Sequence, residues 1–229
     1  MRVNLVIVGT GAIADVIADY FERESEYNVL GFATDREFVG DGIFRGKPVV
    51  AFDEVEFIYP PNNCKMFIAI GYTQLNHLKA RFYKQAKEKG YELITYVSQH
   101  AYIHHNVKLG DNCFIFEDNV IQYDVKIGNN VMLWSGNHIG HGTVLRDHVY
   151  VASHVVISGF CDIGEYTFIG VNATFADKIK VGSNCLIGMG AIVSRDIEDM
   201  TACVPAQSTT FEITKLKGKN REMFCPPGV

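Results

Sequence analysis

Three things are missing from this sequence: an apolar run long enough to cross a membrane, a long basic stretch, and any pair of cysteines spaced C-x-x-C. Each absence closes off a class of function. A helix that spans a bilayer needs about 20 consecutive, mostly apolar residues, and no segment approaches that. Lys and Arg number 21 against 26 Asp and Glu, a net charge of −5, so neither nucleic acid nor an anionic membrane is expected as a partner. The six cysteines (Cys64, Cys113, Cys161, Cys185, Cys203 and Cys225) are scattered, and read as reduced packing residues of a cytoplasmic protein, with no metal expected. The opening MRVNLVIVGTG begins like a secretory signal, with a charge and then apolar residues. It ends in glycines rather than a small-residue cleavage site, and so reads as a first strand. At 229 residues, one large domain or two small ones can each bury a core.

What the sequence has in quantity is repetition. From Ala101 to Asp196 it cuts into 16 hexads: AYIHHN VKLGDN CFIFED NVIQYD VKIGNN VMLWSG NHIGHG TVLRDH VYVASH VVISGF CDIGEY TFIGVN ATFADK IKVGSN CLIGMG AIVSRD. The third residue of every hexad is Ile, Leu, Val or Phe, the first is small or medium-sized, and the fourth is often Gly (Gly110, Gly128, Gly140, Gly164, Gly170, Gly182, Gly188). Positions one and three share one face of a short strand because side chains alternate, so both point inward. The Gly or small polar residue that follows is expected to let the chain turn a corner. A hexapeptide period marks a parallel β-helix. Three hexads close one triangular coil, neighbouring coils lie about 4.8 Å apart, and the open ends of the stack need covering.

Residues 1–96 alternate strand and helix: strands at 3–8, 29–33, 65–70 and 93–96, helices at 12–23 and 74–89, and a loop at Pro60-Pro61-Asn62-Asn63. That order predicts a parallel, Rossmann-like α/β sheet running directly into the repeat. The expected domains are therefore 1–96, 97–200 for the β-helix, and a tail over 201–229. Gly9 and Gly11 close the first strand in VIVGTGAIAD, where backbone can approach a phosphate at a helix N-terminus. Asp35 ends the second strand where an acid would meet a ribose. The G-x-G-x-x-A pattern also fits a tight turn that holds no ligand.

The hexads resemble those of the left-handed β-helix acyltransferases, CDIGEYTFIGVN and KVGSNCLIGMGAIV being close to their usual wording. The left hand comes from the resemblance, since the general rule for parallel crossovers favours the other. With the domain before it, the chain resembles the bacterial sugar acyltransferases that join a nucleotide-binding domain to this helix. That group includes sialic acid O-acetyltransferases and N-acetyltransferases of nucleotide-linked amino sugars. The resemblance implies transfer of an acetyl group from acetyl-CoA to the amino group of a nucleotide-linked sugar in surface-polysaccharide biosynthesis, by a homotrimer. The O-acetylation of a sugar hydroxyl is the alternative. It also implies that Gly71 and Tyr72 join Gly9, Gly11 and Asp35 around the sugar nucleotide, and that Gly159, Val171 and Met189, with Tyr150 near the thioester, hold coenzyme A. Ala12-Ile13 stands where the family turn carries a further glycine and a histidine. VPAQ at 204–207 resembles the family's closing phrase, with Gln207 in place of a basic residue, and the tail Phe211–Val229 offers Lys215, Lys217, Lys219 and Arg221.

Seven of the eight histidines lie between His100 and His154. Acyl transfer from a thioester needs a base for the acceptor's proton, and His suits that near neutral pH. His141, at an outward position of NHIGHG, matches the family's catalytic histidine, which precedes a V-[IL]-x-[DE] run; here that run is Val144–Asp147. The carboxylate that often flanks it is replaced by Gly140 and Gly142. His138, outward in the same hexad, is placed with the substrate-binding residues. Two further readings stay open. A γ-type carbonic anhydrase uses the same coil, but His105 and His141 would stand two coils, about 10 Å, apart, and Arg146 stands where a third histidine is expected. A non-catalytic binding module is the other.

Overall fold

The computed structural model describes residues 2–208, 210 and 212–215; Phe211, Lys217, Lys219, Arg221 and Cys225 lie outside them. The first domain is built on β1 (Val3–Val8), whose last four residues are buried. Next come α1 (Ala12–Glu24), β2 (Tyr27–Thr34), the hairpin β3 (Ile43–Phe44) and β4 (Lys47–Ala51), the short α2 (Val55–Ile58), β5 (Lys65–Ile68) and α3 (His77–Glu88). The sheet order is β3-β4-β2-β1-β5, parallel throughout except for β3 against β4. Helices cover both faces, since Val6, Val8, Met66 and Ile68 pack toward Phe82 and Ala86 of α3, while Leu5, Ile7 and Phe67 pack toward Ile17 and Phe21 of α1.

Three local features depart from the expected elements. Helix α3 begins at His77 rather than at residue 74, because Gln74, Leu75 and Asn76 all have positive φ (54°, 48° and 68°), a left-handed turn that no helix can continue from. The β3–β4 hairpin was not anticipated; its turn is the positive-φ pair Arg45-Gly46, and its first strand is too short to show a period. Leu93 makes only a single bridge to Met66, and Tyr96–Val97 belongs to the solenoid, pairing with Phe114–Ile115.

The repeat forms a left-handed β-helix of three parallel sheets. Sheet A holds seven two-residue strands from Tyr96–Val97 to Ala202–Cys203, sheet B six from Tyr102–Ile103 to Ile192–Val193, and sheet C five from Lys108–Leu109 to Lys180–Val181. Strands pair with those 18 residues on, as in Val120↔His138 and Ile121↔Ile139, except at the last rung, where Leu186 and Ile187 pair with Ala202 and Cys203, 16 residues on. First and third hexad residues fill the core. Polar residues among them are bonded there: Thr143 Oγ1 donates to the Ser158 carbonyl (3.1 Å) and Val155 N–H to Asn137 Oδ1 (2.8 Å).

Corner turning is not the work of position four. The residue in the left-handed region is the sixth of the hexad, from Asn112, Asp118 and Asp124 through to Asn172, Lys178 and Asn184. Glycine at position four answers a different need, the close approach of the next coil. A Cβ on Gly110 would lie 2.5 Å from the Gly128 carbonyl oxygen, and one on Gly140 would lie 2.6 Å from Gly159 N.

The first domain sits on the outer face of sheet A. Tyr20 and Phe21 of α1 and Phe67 of β5 meet Tyr96, Phe114 and Phe116 edge-on, with centroids 5.1–5.9 Å apart, and Phe116 stacks on Trp134 at 4.5 Å. Such pairs contribute about 0.5–1.5 kcal/mol each beyond their burial. Polar groups extend the seam. Asn112 Oδ1 accepts the Ile68 N–H (2.8 Å) as another strand would, its Nδ2 donates to Asn130 (2.7 Å), and Asn130 Nδ2 donates to Nδ1 of His148 (2.9 Å). From α3, the fully buried Lys79 reaches the Asn130 carbonyl (3.1 Å), and burial lowers its amine to about 8.

His148 packs against Tyr83 and Tyr166, near Lys79 and His77, and burial lowers it to about 4, with Asp147 opposing. The unfolded chain titrates near the ordinary 6.5 and so binds more protons than the folded one between the two values. His148 therefore contributes full stability above about pH 6.5 and loses it as pH falls toward 4. Melting temperatures measured from pH 7 down to pH 4.5 should fall less for His148→Asn than for the native chain, Asn being tolerated at φ 63°. Equal slopes would rule out His148 as the titrating group.

Candidate functional site

His141 stands at the corner between sheets B and C, one coil below Tyr123 and one above Gly159, with His105 two coils away in the same column. Its side chain is exposed. Three neighbours fix its ring. Gln122 Oε1 lies 3.3 Å from Nδ1, and Phe160 meets the imidazole edge-on with centroids 4.8 Å apart. The ring also occupies the space above Gly159, where a Cβ would lie 2.7 Å from its Cε1 and 2.9 Å from its Nε2. Gly142 is as constrained, since its Cβ would meet the Phe160 ring. The two glycines beside and below the histidine thus make room for an imidazole and the aromatic ring that holds it. His138 is elsewhere, on the outer face of sheet B between Val120 and Val156.

A second group of candidates gathers at the corner between sheets A and B. Tyr72, from the turn after β5, packs against Tyr150 (5.2 Å) and Phe168 (4.7 Å), and with Trp134, Val171 and Met189 they line a largely apolar cavity of about 310 Å³. Val171 and Met189 are exposed, and Tyr150 is buried. The Tyr150 hydroxyl accepts the Trp134 indole N–H, and burial pushes its pKa up to about 12, so the phenol is neutral and can act as a hydrogen-bond partner but not as a base. Residues expected to face the sugar and residues expected to face the coenzyme therefore meet in one cavity. One hexad, a full side of the triangular coil, separates this corner from that of His141.

The glycines of the first domain differ in what they answer to. Gly9 has φ 124°, and a Cβ there would lie 2.7 Å from the Ala69 carbonyl oxygen, so packing of the β1 turn on the β5 turn requires it. Gly71 lies against Ile13. Gly11, at the N-cap of α1, has an ordinary φ of −91° and open space around it, so the protein itself places no demand for glycine there. Asp35 is ion-paired with Arg81 of α3 and lines a separate polar cleft of about 580 Å³ with Arg36, Asp53 and Lys89; none of Gly9, Gly11 and Gly71 lines that cleft. Among the described residues no three His, Cys, Asp or Glu side chains come together to hold a metal ion, and no helix is long and apolar enough to cross a membrane.

Sequence reasoning missed Gln122, Phe160, Trp134, Phe168 and Arg81. The first four occupy outward or corner positions where the repeat tolerates many residue types, and the spacings of 19 residues from Gln122 to His141 and 16 from Trp134 to Tyr150 fall outside the 18-residue columns. Arg81 carried no local signal.

Fold and site together define a parallel α/β domain docked on a left-handed hexapeptide β-helix. Residues 4–86 match the PglD N-terminal domain, and residues 124–159 and 160–195 each match the bacterial transferase hexapeptide (six repeats). Among solved structures, the acetyltransferase domain of PglB from Neisseria gonorrhoeae superimposes with a TM-score of 0.80 at 22% identity, over 88% of this chain and 96% of that one. PerB from Caulobacter crescentus, in complex with CoA and GDP-perosamine, gives 0.76 at 22% identity, over 88% and 94%. WeeI from Acinetobacter baumannii gives 0.75 at 18% identity, over 90% and 97%. No curated protein sequence matches the chain significantly. At these identities the likeness is one of fold, and it extends over both the first domain and the solenoid.

The packing of His141 on Gly159 yields a direct test. Gly159→Ala places a methyl group within the ring's present position and must turn the imidazole away. We expect the nitrogen and carbon resonances of His141 to shift. The global melting temperature should change by only a few degrees. Unchanged His141 resonances would show that the ring is not seated on this glycine.

Proposed function

We propose that the protein is an acetyl-CoA-dependent acyltransferase that acetylates the amino group of a nucleotide-linked sugar, serving surface-polysaccharide biosynthesis. The observation that carries this reading is the shared cavity of Tyr72, expected to face the sugar nucleotide, with Tyr150, Val171 and Met189, expected to face the coenzyme. Support also comes from the PglD-type first domain and from the fold shared with an N-acetyltransferase crystallised with CoA and an amino-sugar nucleotide. In this reading the nucleotide lies over Gly11 at the α1 N-terminus, where open backbone and the helix dipole favour its phosphates.

His141 is the general base. The acceptor amine attacks the thioester carbonyl while passing a proton to Nε2, and the tetrahedral adduct collapses with release of the CoA thiolate, which recovers that proton. No covalent carrier is required: Cys113, Cys161 and Cys185 are buried inside the solenoid, and burial pushes their thiols up. Because His141 and the shared cavity occupy different corners of one coil, the site is completed across copies. Three chains pack side by side, each lending His141 to its neighbour's cavity.

His141→Asn keeps a polar side chain but removes the base, so kcat should fall by about 10²–10⁴-fold with both KM values near normal. Retention of more than about a tenth of kcat would remove His141 from this role. His138→Asn should do far less.

A Cβ on Gly11 would meet no protein atom within 4 Å, so Gly11→Val reports chiefly on the ligand. It should raise KM for the sugar nucleotide at least tenfold and leave KM for acetyl-CoA unchanged, with the melting temperature lowered by only a few degrees for the loss of glycine at the N-cap of α1. Co-folding Gly11→Val chains with His141→Asn chains should then regenerate sites that carry both native residues. Mixed preparations no more active than the sum of their parts would argue against a site shared between copies.

A further inference from the structure

At several places in the solenoid the backbone N–H of a hexad's fifth residue is taken by an Asx side chain of the following coil. Asn129 serves Asp111 (3.2 Å), Asp147 serves Asn129 (2.7 Å) and Asp177 serves Gly159 (2.8 Å). At His141 the arrangement is different on both sides. The residue that would reach back is Gly159, which has no side chain to offer. The His141 N–H is taken instead from the preceding coil, by Oε1 of Gln122 at 3.0 Å. That same oxygen is the atom 3.3 Å from Nδ1 of the imidazole.

The double contact settles a chemical ambiguity. A backbone N–H can only donate, so the atom that Gln122 turns toward His141 is its carbonyl oxygen, not its amide nitrogen. A carbonyl oxygen can only accept, and has two lone pairs to do so. The Nδ1 beside it must therefore carry a hydrogen, and in the neutral ring the lone pair is left on Nε2. Nε2 is also one of the ring atoms over Gly159, away from the strand that carries Gln122.

We propose that Gln122 is a positioning residue that holds His141 in its Nδ1–H tautomer and so keeps Nε2 available as the base. This rests on the reading of His141 as the base given above. It supplies what the flanking glycines cannot, and does so with a neutral amide. An amide orders the tautomer as a carboxylate does, but it adds no negative charge to hold a proton on the ring, so the ring gives its proton up to the leaving thiolate more readily. A carboxylate in the same place would favour the imidazolium and delay the base to higher pH.

The test uses the full-length chain in three forms, read by turnover and by nitrogen NMR of histidine-labelled protein. Gln122→Leu should lower kcat roughly ten- to a hundredfold, the scale of losing an orienting outer partner, with KM values unchanged. In its spectrum the neutral His141 should move away from pure Nδ1–H toward a mixture of tautomers. Gln122→Glu should recover most of kcat, because it restores the acceptor, while moving the acid limb of the rate–pH profile upward by about half a unit or more. A merely structural role for Gln122 would produce neither the tautomer change nor the shifted limb. A native nitrogen spectrum in Gln122→Leu overturns the proposal even when His141→Asn is inactive. An active His141→Asn overturns the base reading instead, and with it the function given to Gln122.

Discussion

The 18-residue hydrogen-bonded ladder is the constraint from which the rest of the molecule follows. Each coil donates to and accepts from its neighbours along three faces, so a side chain's address is set by its position in the hexad and by its coil number. Close stacking demands glycine wherever a Cβ would strike the next coil, and a left-handed residue at each corner's end. What remains free are the outward second, fourth and fifth positions, and the protein uses them to write columns of unlike function. One column carries His105, Tyr123, His141, Gly159 and Asp177. The opposite corner carries Ser153, Val171 and Met189. Rigidity of the ladder keeps them at fixed separations without any dedicated scaffold.

The first domain depends on the same ladder. Its apolar face is laid against five successive rungs of sheet A, from Tyr96 to Phe168, and the side chain of Asn112 continues the β5 edge into the solenoid. Tyr72 reaches its partners because the turn before α3 passes through three left-handed residues, an arrangement of the kind that persists only when its surroundings enforce it. The enforcing groups are the buried Lys79, Tyr83 and His77 of α3, which bond or stack onto Asn130, Asp111 and Tyr166 of the solenoid. The placement of an aromatic side chain at the cavity mouth is thus coupled to a polar seam behind it.

Much of this was legible in the chain. The hexad period gave the three sheets, the register and nearly the whole solenoid core, because inward positions one and three admit few residue types. The α/β order of the first domain was also readable, except where local conformation departs from period: the left-handed run at Gln74–Asn76, the two-residue strand Ile43–Phe44, and the share of Leu93–Tyr96 between two sheets. The roles of the repeat glycines were misassigned, since a glycine that permits a turn and one that permits an approach look identical in sequence. Partnerships between coils were the least legible. Gln122 and His141 are 19 residues apart with no pattern between them, and Asp35 with Arg81 are joined only through the docking of α3.

The extent of the aromatic seat has a consequence for how the molecule opens. Aromatic cover from the first domain reaches Phe168 of sheet A; beyond it, among the described residues, the rung at Leu186–Ile187 keeps a link through His77 and Asn184 (2.7 Å), and the rung at Ala202–Cys203 rests on the ladder and the inner core. At that end Ile192 is 81% exposed. In a solenoid, stability is carried by neighbour contacts, so local unfolding runs inward from the less supported terminus. Amide protection should accordingly rise along the axis from the last coil toward the third and fourth. His141 lies between clamped coils on either side, and the imidazole is carried by the part of the chain that opens last.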